Sequence, residues 1–333
     1  MPYKRMITLL TAMSAATVVG HAHPVRAQPS AAQVLSDMGL SAGDQQRVLN
    51  GEFVTNDVSG ASDTDLALSM AFLVKVSPDD LSRQIIAGNI LGTDPQVEAS
   101  GEFNGAGSLA DLARLQVGTD TLRGLVNARP GEAQNLSAGE IAAFNALRSA
   151  GPQAALPQLR QMLLDRFQAY KASGLAGIAP YDRGGKTTDV AEELRKASDA
   201  LTVLKKYMPA LQQTLTDYPR ATVAGMQQVF RWVHYNIDGA TTVVLMHEIT
   251  AADGGARAVV QRQYYVSNGY NSEQAVAGFL PVQGGTIVAY TNHTFTDQVA
   301  GFGGGVKRSI GRRMMASKLT QMFEAARNRI DKP

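Results

Sequence analysis

The stretch from 226 to 295 constrains the fold more than any other part of the chain. Aromatic and β-branched residues dominate it, and tight turn signals divide it. Asp238-Gly239 is the strongest of these signals. A two-residue hairpin of type I′ needs positive φ at both central positions, and this pair adopts it readily. Ala252-Asp253-Gly254-Gly255 and Gly284-Gly285 mark two further turns. The pattern predicts an antiparallel meander over about 226–295, then a helix over about 306–330. Val306, Ile310, Met314, Leu319, Met322, Phe323, Ala326 and Ile330 would form one apolar stripe on that helix.

Hairpin geometry turns these turns into residue pairs. A two-residue loop at Asp238-Gly239 sets Ile237 opposite Ala240, His234 opposite Val243, Trp232 opposite Leu245 and Phe230 opposite His247. A four-residue loop at 252–255 sets Ala251 opposite Ala256 and His247 opposite Val260. Side chains alternate along a strand, so one sheet face carries Phe230, Trp232, His234, Val243, Leu245, His247, Ile249, Val260, Arg262 and Tyr264. The other carries Arg231, Glu248, Thr250, Gln261 and Gln263. The first set is expected to be the inner face. An apolar, aromatic wall with a few polar points resembles the lining of a small-molecule pocket, and it equally suits a core whose polar groups are satisfied.

Upstream, residues 28–50 read as helical pieces with Val34, Leu35, Met38 and Leu40 apolar. Glu52–Val58 and Asp65–Val76 read as strands. Ser77, Pro78, Asp79 and Asp80 then start a helix: a cap, a proline suited to the first position, and acids at the positive end of the dipole. Leu81, Ile85 and Ile86 would be its buried face. Short amphipathic helices are expected over 100–150, one opened by a capping box from Ser137 to Glu140. Longer helices are expected at 153–173, stopped by Gly174, and at 189–207. A shorter piece lies between Pro209 and Pro219. The fold class is therefore α+β: an antiparallel meander packed against a long C-terminal helix, with a helical insertion at about 100–220.

The N-terminus reads as an export signal over residues 1–27. Lys4 and Arg5 precede an uncharged stretch from Met6 to Gly20, and Val25-Arg26-Ala27 offers small residues at a cleavage site. The stretch of about 15 residues is shorter than the roughly 20 a membrane helix needs, so cleavage is expected rather than retention. The remaining chain, 28–333, is expected to be a single soluble domain in the periplasm or outside the cell, with no membrane span. Losing Lys4, Arg5 and Arg26 leaves 28 basic against 29 acidic residues, a formal charge of −1. Nothing in that balance attracts nucleic acid. With no cysteine in the chain, disulfides, thiolate catalysis and cysteine metal sites are excluded.

No other motif names a reaction, and no cofactor is expected. His234 and His247 lie on adjacent strands but four residues out of register, about 13 Å apart, whereas zinc nitrogens sit about 2 Å from the metal. A zinc site made by these two with His293 is therefore not expected. Gly301-Phe302-Gly303-Gly304-Gly305 precedes a helix and could cradle a phosphate, but it fits neither glycine-rich nucleotide motif. Lys307, Arg308, Arg312 and Arg313 could meet an anion or acidic lipid. The plainer reading is that the glycines bring the last helix close to the sheet and the basic side chains are solvated. No serine stands in a GxSxG elbow. Asp182 and Glu248 are acid–base candidates without an identifiable partner.

Two stretches carry a resemblance: Phe72-Leu73-Val74-Lys75-Val76-Ser77-Pro78-Asp79-Asp80, strand into helix, and Gly284-Gly285-Thr286-Ile287-Val288-Ala289-Tyr290 before the glycine-rich bend and last helix. Together with the meander they resemble the START-like, or helix-grip, superfamily (polyketide cyclases and lipid-transport proteins) and uncharacterised exported bacterial proteins of that type. The resemblance covers roughly 50–90 and 225–330, and the insertion at 100–220 departs from it. It implies a cavity between the sheet and the C-terminal helix that takes a hydrophobic or amphiphilic, lipid-like small molecule. Trp232, Tyr264 and the stripe from Ile310 to Phe323 would line it, and His247 and Arg262 would anchor a polar head, with His234 nearby. The expected function is a periplasmic binding or carrier protein for such a molecule. The alternatives are a hydrolase or lyase using His234 or His247 with Asp182, and an assembly factor that binds another envelope protein through the insertion.

Overall fold

The computed structural model describes residues 29–331 apart from Ala133, Asp238, Gly254, Gly255 and Phe302. The expected export signal at 1–27 lies outside the described residues.

Two short helices, α1 (Ala31–Asp37) and α2 (Ala42–Leu49), precede strands β1 (Val54–Asp57) and β2 (Asp65–Val74). Ser30 and Ser41 cap the helices, and Val34, Leu35, Met38, Leu40 and Val48 are buried. Helix α3 (Pro78–Ile86) follows, with Ser77 Oγ accepting from Asp80 N at 3.1 Å. Of its expected buried face, Leu81 is buried, whereas Ile85 and Ile86 are half-buried. Strand β3 (Val97–Glu102) comes next, overlapping the start of the region expected to be helical from about 100.

The helical segment that follows holds α4 (Thr119–Val126), α5 (Ala138–Asn145) and α6 (Ala155–Ser173). A small hairpin, β4 (Tyr181–Asp182) with β5 (Thr187–Thr188), separates these from α7 (Val190–Ala200), α8 (Thr202–Tyr207) and α9 (Pro209–Asp217). The capping box of α5 forms, with Ser137 N donating to Glu140 Oε2 at 2.7 Å. The helix expected over 189–207 breaks at Leu201, whose ψ of 62° is not helical.

The meander is β6 (Gln227–Ile237), β7 (Ala240–Asp253), β8 (Ala256–Val266), β9 (Ser272–Val282) and β10 (Gly285–Phe295), and α10 (Gly304–Ile330) closes the chain. The main sheet has 8 strands in the order β1-β2-β10-β9-β8-β7-β6-β3, with every neighbouring pair antiparallel. A large antiparallel sheet with a C-terminal helix is consistent with a helix-grip-like arrangement.

The first hairpin has the expected register, with Phe230 opposite His247. The second is slipped by two residues: Asp253 pairs with Ala256, and His247 faces Arg262 instead of Val260. An even slip keeps every side chain on its expected face. Beyond Gln263, which faces Met246, the pairing jumps and Leu245 lies opposite Tyr265. The extra residue at this bulge is Tyr264, and both tyrosines enter the same apolar cluster.

The sheet is covered on both faces. Helices α6, α7 and α9 pack on the side of Phe230, Trp232, Leu245 and Val260. Helix α10 packs on the opposite side, where Phe323, Leu319 and Met315 meet Met70, Phe72, Val288 and Tyr290. The face expected to be outward is therefore also buried under helices. Arg231 and Glu248 form an ion pair at 2.6 Å, and each is nearly inaccessible. Burial raises the Glu248 pKa, and the Arg231 charge opposes that rise.

The stripe expected on α10 divides into two sides. At 100° per residue, Val306, Ile310 and Met314 centre near about 40° and Leu319, Phe323, Ala326 and Ile330 near about 230°. Leu319, Phe323 and Ile330 of the second group pack against the sheet, Ala326 is buried, and Met322 falls between the two sides. Val306, Ile310 and Met314 are 68%, 53% and 60% exposed.

Trp232, the chain's one tryptophan, shows how tightly the edge is built. Its indole lies across Gly101 of β3 and donates from Nε1 to Asp111 O at 2.8 Å. A Cβ at Gly101 would meet the ring at 2.6 Å. Gly101→Val is therefore expected to push the indole off its partner at a cost of about 1–3 kcal/mol, the range for overpacking. The check is the emission of that single tryptophan, which should shift to the red. An unchanged spectrum and an unchanged unfolding midpoint would show that the strand moves aside instead.

Candidate functional site

A cavity of about 330 Å³ lies between the sheet and a roof made by α1, α8 and the residues joining α7 to α8. The sequence explains why space remains there. The floor strands present Ser69, Ala256, Ala258, Gly278 and Ala289, and a floor of such short side chains leaves unfilled what larger ones would occupy. Gly278 is informative. Its φ is not in the left-handed region, and an added Cβ would meet nothing closer than Ala289 O at 3.8 Å. The backbone therefore does not demand glycine at that position.

Leu201, Leu204, Met208, Val34, Met38, Val276 and Leu280 give the cavity its apolar walls. One end is polar, with Ser69, Thr291 and His293. His293 stands opposite Ala67 and Asp65 opposite Phe295, which makes His293 and Asp65 diagonal neighbours on one face. Asp65 Oδ2 lies 2.7 Å from His293 Nδ1, and both side chains are buried. Asp65 Oδ2 also accepts from Ala61 N at 2.7 Å, which fixes the carboxylate. With Nδ1 engaged, Nε2 is the nitrogen of His293 left for a ligand.

Across the mouth, Asp37 Oδ2 accepts from Lys206 Nζ at 2.6 Å and Tyr207 Oη at 2.5 Å, tying α1 to α8. The hydrogen bond from Lys206, then that from Tyr207, lowers the Asp37 pKa.

The five residues expected at the site lie elsewhere, and none of them lines this cavity. The expected cavity between sheet and C-terminal helix cannot hold them, because they face the helical segment while α10 covers the other side. Arg262, His247 and Tyr264 do meet, through Tyr170 of α6. Arg262 Nη1 donates to Tyr170 Oη at 3.4 Å, and Tyr170 Oη lies 3.1 Å from His247 Nδ1. The Tyr170 ring stacks on Tyr264 at 4.0 Å. Arginine only donates, so Tyr170 gives its own proton to His247 Nδ1. His247 then carries its proton on Nε2 and donates to Gln228 Oε1 at 2.9 Å. Burial first, and the Arg262 charge second, hold the His247 pKa well below 6.5. Trp232 is fully buried at the β3–β6 edge. His234 sits there too, 3.3 Å from Glu98, with its pKa lowered by burial and partly restored by that carboxylate.

Apart from His293, weighed only as a zinc ligand, the residues that line the cavity were not among the sequence candidates. Alanines and glycines on a strand carry no chemical signature, and Asp65 and His293 are 228 residues apart.

No family model matches the sequence, and no curated protein matches it. Among solved structures, the chain is similar to the one described as "Crystal structure of Ara h 8.0201". The identity is 16%, the match covers 41% of this chain and 87% of that one, and the TM-score is 0.21. Among the described residues, no helix is long and apolar enough to cross a membrane.

Proposed function

We propose that the protein is an exported, periplasmic or secreted, START-like binding or carrier protein for a hydrophobic or amphiphilic small molecule. One observation carries this reading: a cavity of about 330 Å³ whose walls are mainly apolar, with Ser69, Thr291 and His293 grouped at one end. That volume falls at the lower end of ligand pockets, and such pockets combine apolar walls with a few placed polar groups. The apolar part of the ligand would lie over Ala258, Gly278 and Ala289 beneath Leu204 and Met208. Its hydroxyl or carbonyl end would meet Thr291 and His293. The resemblance of the strand entries and meander to the START-like superfamily implies the same class of ligand, although the cavity it implies would lie on the α10 side of the sheet.

The test is native mass spectrometry of gently purified protein, followed by solvent extraction of any adduct. The wild type is expected to carry a discrete amphiphile. Gly278→Leu, which fills the floor, is expected to lose it while keeping the wild-type circular dichroism spectrum. A wild type without adduct that also fails to take up a fluorescent fatty acid, or an adduct unaffected by Gly278→Leu, would defeat the proposal.

The Asp65–His293 pair favours a second reading, hydrolysis of the bound molecule. A carboxylate that orients an imidazole toward a cavity is the arrangement of a general base. Under that reading His293→Gln retains the adduct but abolishes cleavage of short-chain acyl esters. Under the carrier reading neither protein cleaves them.

A further inference from the structure

The outward side of α10 is unusual in its first half. Val306, Ile310 and Met314 follow one another at intervals of four residues, forming an exposed apolar stripe about 12 Å long. Beyond Met314 the same side continues with Ser317, Gln321, Glu324 and Asn328, so the stripe is bounded. Exposed Lys307 and Arg313 flank it on either side, and Arg308 and Arg312 lie half-buried beneath. Between Gly304 and Phe323 the helix carries five basic residues and no acidic one.

We propose that the first half of α10 docks the protein on an anionic lipid surface. Apolar side chains exposed to water at this density have a favourable place in the boundary between headgroups and acyl chains. Flanking lysine and arginine meet lipid phosphates in the same plane. The charge opposes the alternative of self-pairing, since a second copy would set its own basic flanks against these. The inference is independent of the cavity, because α10 lies on the opposite side of the sheet.

The test is vesicle flotation of the full chain with phosphatidylcholine alone and with phosphatidylcholine containing phosphatidylglycerol. The wild type should float only with the anionic vesicles, and less at high salt. Lys307→Glu with Arg313→Glu, and separately Ile310→Ser with Met314→Ser, should each weaken partitioning by at least about tenfold. All four positions are exposed, so the unfolding midpoints should not change, and either double variant can carry the test if the other fails to fold. Residues 1–28 are common to all three proteins and cancel in the comparison. Equal flotation with both vesicle types, no flotation, or flotation unchanged in the variants overturns the proposal. So does a concentration-dependent dimer abolished by Ile310→Ser with Met314→Ser, which would make the stripe a contact between copies.

Discussion

Replacing Arg262 by alanine should lower the unfolding free energy by about 4 kcal/mol, the sum of a buried stem lost and polar partners stranded. The guanidinium is 1% exposed. It donates to Gln274 Oε1 at 2.6 and 2.9 Å, to Leu215 O at 2.7 Å and to Ser198 Oγ at 3.2 Å. No carboxylate among the described residues pairs with it. Two effects therefore compete. Truncation opens a void and leaves the Leu215 carbonyl without its donor in a dry site. Against that, it removes a charge whose desolvation is compensated only by neutral acceptors. The first effect outweighs the second for alanine, because nothing fills the space. Arg262→Met separates the two: it refills most of the volume and removes the charge, and its cost should fall to about 1–2 kcal/mol. Urea unfolding of both variants measures this. An alanine variant within about 1 kcal/mol of wild type would mean that the buried charge already costs what its hydrogen bonds contribute.

The second large effect is a pH dependence located at Glu193 of α7. Its carboxylate accepts from Asn271 Nδ2 at 2.8 Å and Ser272 Oγ at 2.7 Å, where the helical segment meets the sheet end. Asp297 shares the same asparagine amide at 3.2 Å, and Arg183 binds Asp297. Burial pushes the Glu193 pKa up to about 7, with the two hydrogen bonds opposing. The folded chain then holds this proton up to about pH 7, whereas an unfolded chain releases it near its ordinary value of 4.5. Between those values the native state binds more protons, so stability falls as pH rises. The contribution is largest below about pH 4.5 and is lost by about pH 7, with a size of about 3 kcal/mol. Glu193→Gln should therefore stabilise the protein at pH 8 by up to that amount and leave it nearly unchanged at pH 4.5. Unfolding curves at the two pH values decide it; a variant equally affected at both would place the cause in lost hydrogen bonds.

The parts of the fold legible in the sequence are those fixed by local chemistry. Asp238-Gly239 set a register that the β6–β7 pair follows, and Ser77-Pro78 and Ser137–Glu140 marked helix starts that form. Longer-range features were less accessible. Strand β3, sequence VEASGE, has one β-branched residue and a glycine that makes room for an indole 131 positions away, so it did not read as a strand. The α10 stripe pooled residues from opposite sides of the helix, since apolar spacing reports periodicity and not which neighbour is available. The apolar wall at His247, Arg262 and Tyr264 was read correctly as one face. Whether such a face borders a void depends on the helices above it, and Tyr170 and Leu215 fill the space there. The void lies where the floor is alanine and glycine, residues that announce nothing.

Strands β3 and β6 pair as neighbours, yet 124 residues, 103 to 226, run between them. Chain statistics set what that interruption costs. The entropy of closing a loop grows only with the logarithm of its length, about 0.6 kcal/mol per doubling, so going from a four-residue turn to this segment adds about 3 kcal/mol. A β-ribbon edge alone would not sustain that deficit. The segment repays it by burying Leu163, Phe167 and Tyr170 against Phe230, Trp232 and Tyr264, at about 1.5–3 kcal/mol for each fully buried side chain. The hairpin is thus held closed by the very segment that separates its strands, and the sheet edge and its helical cover form one thermodynamic unit.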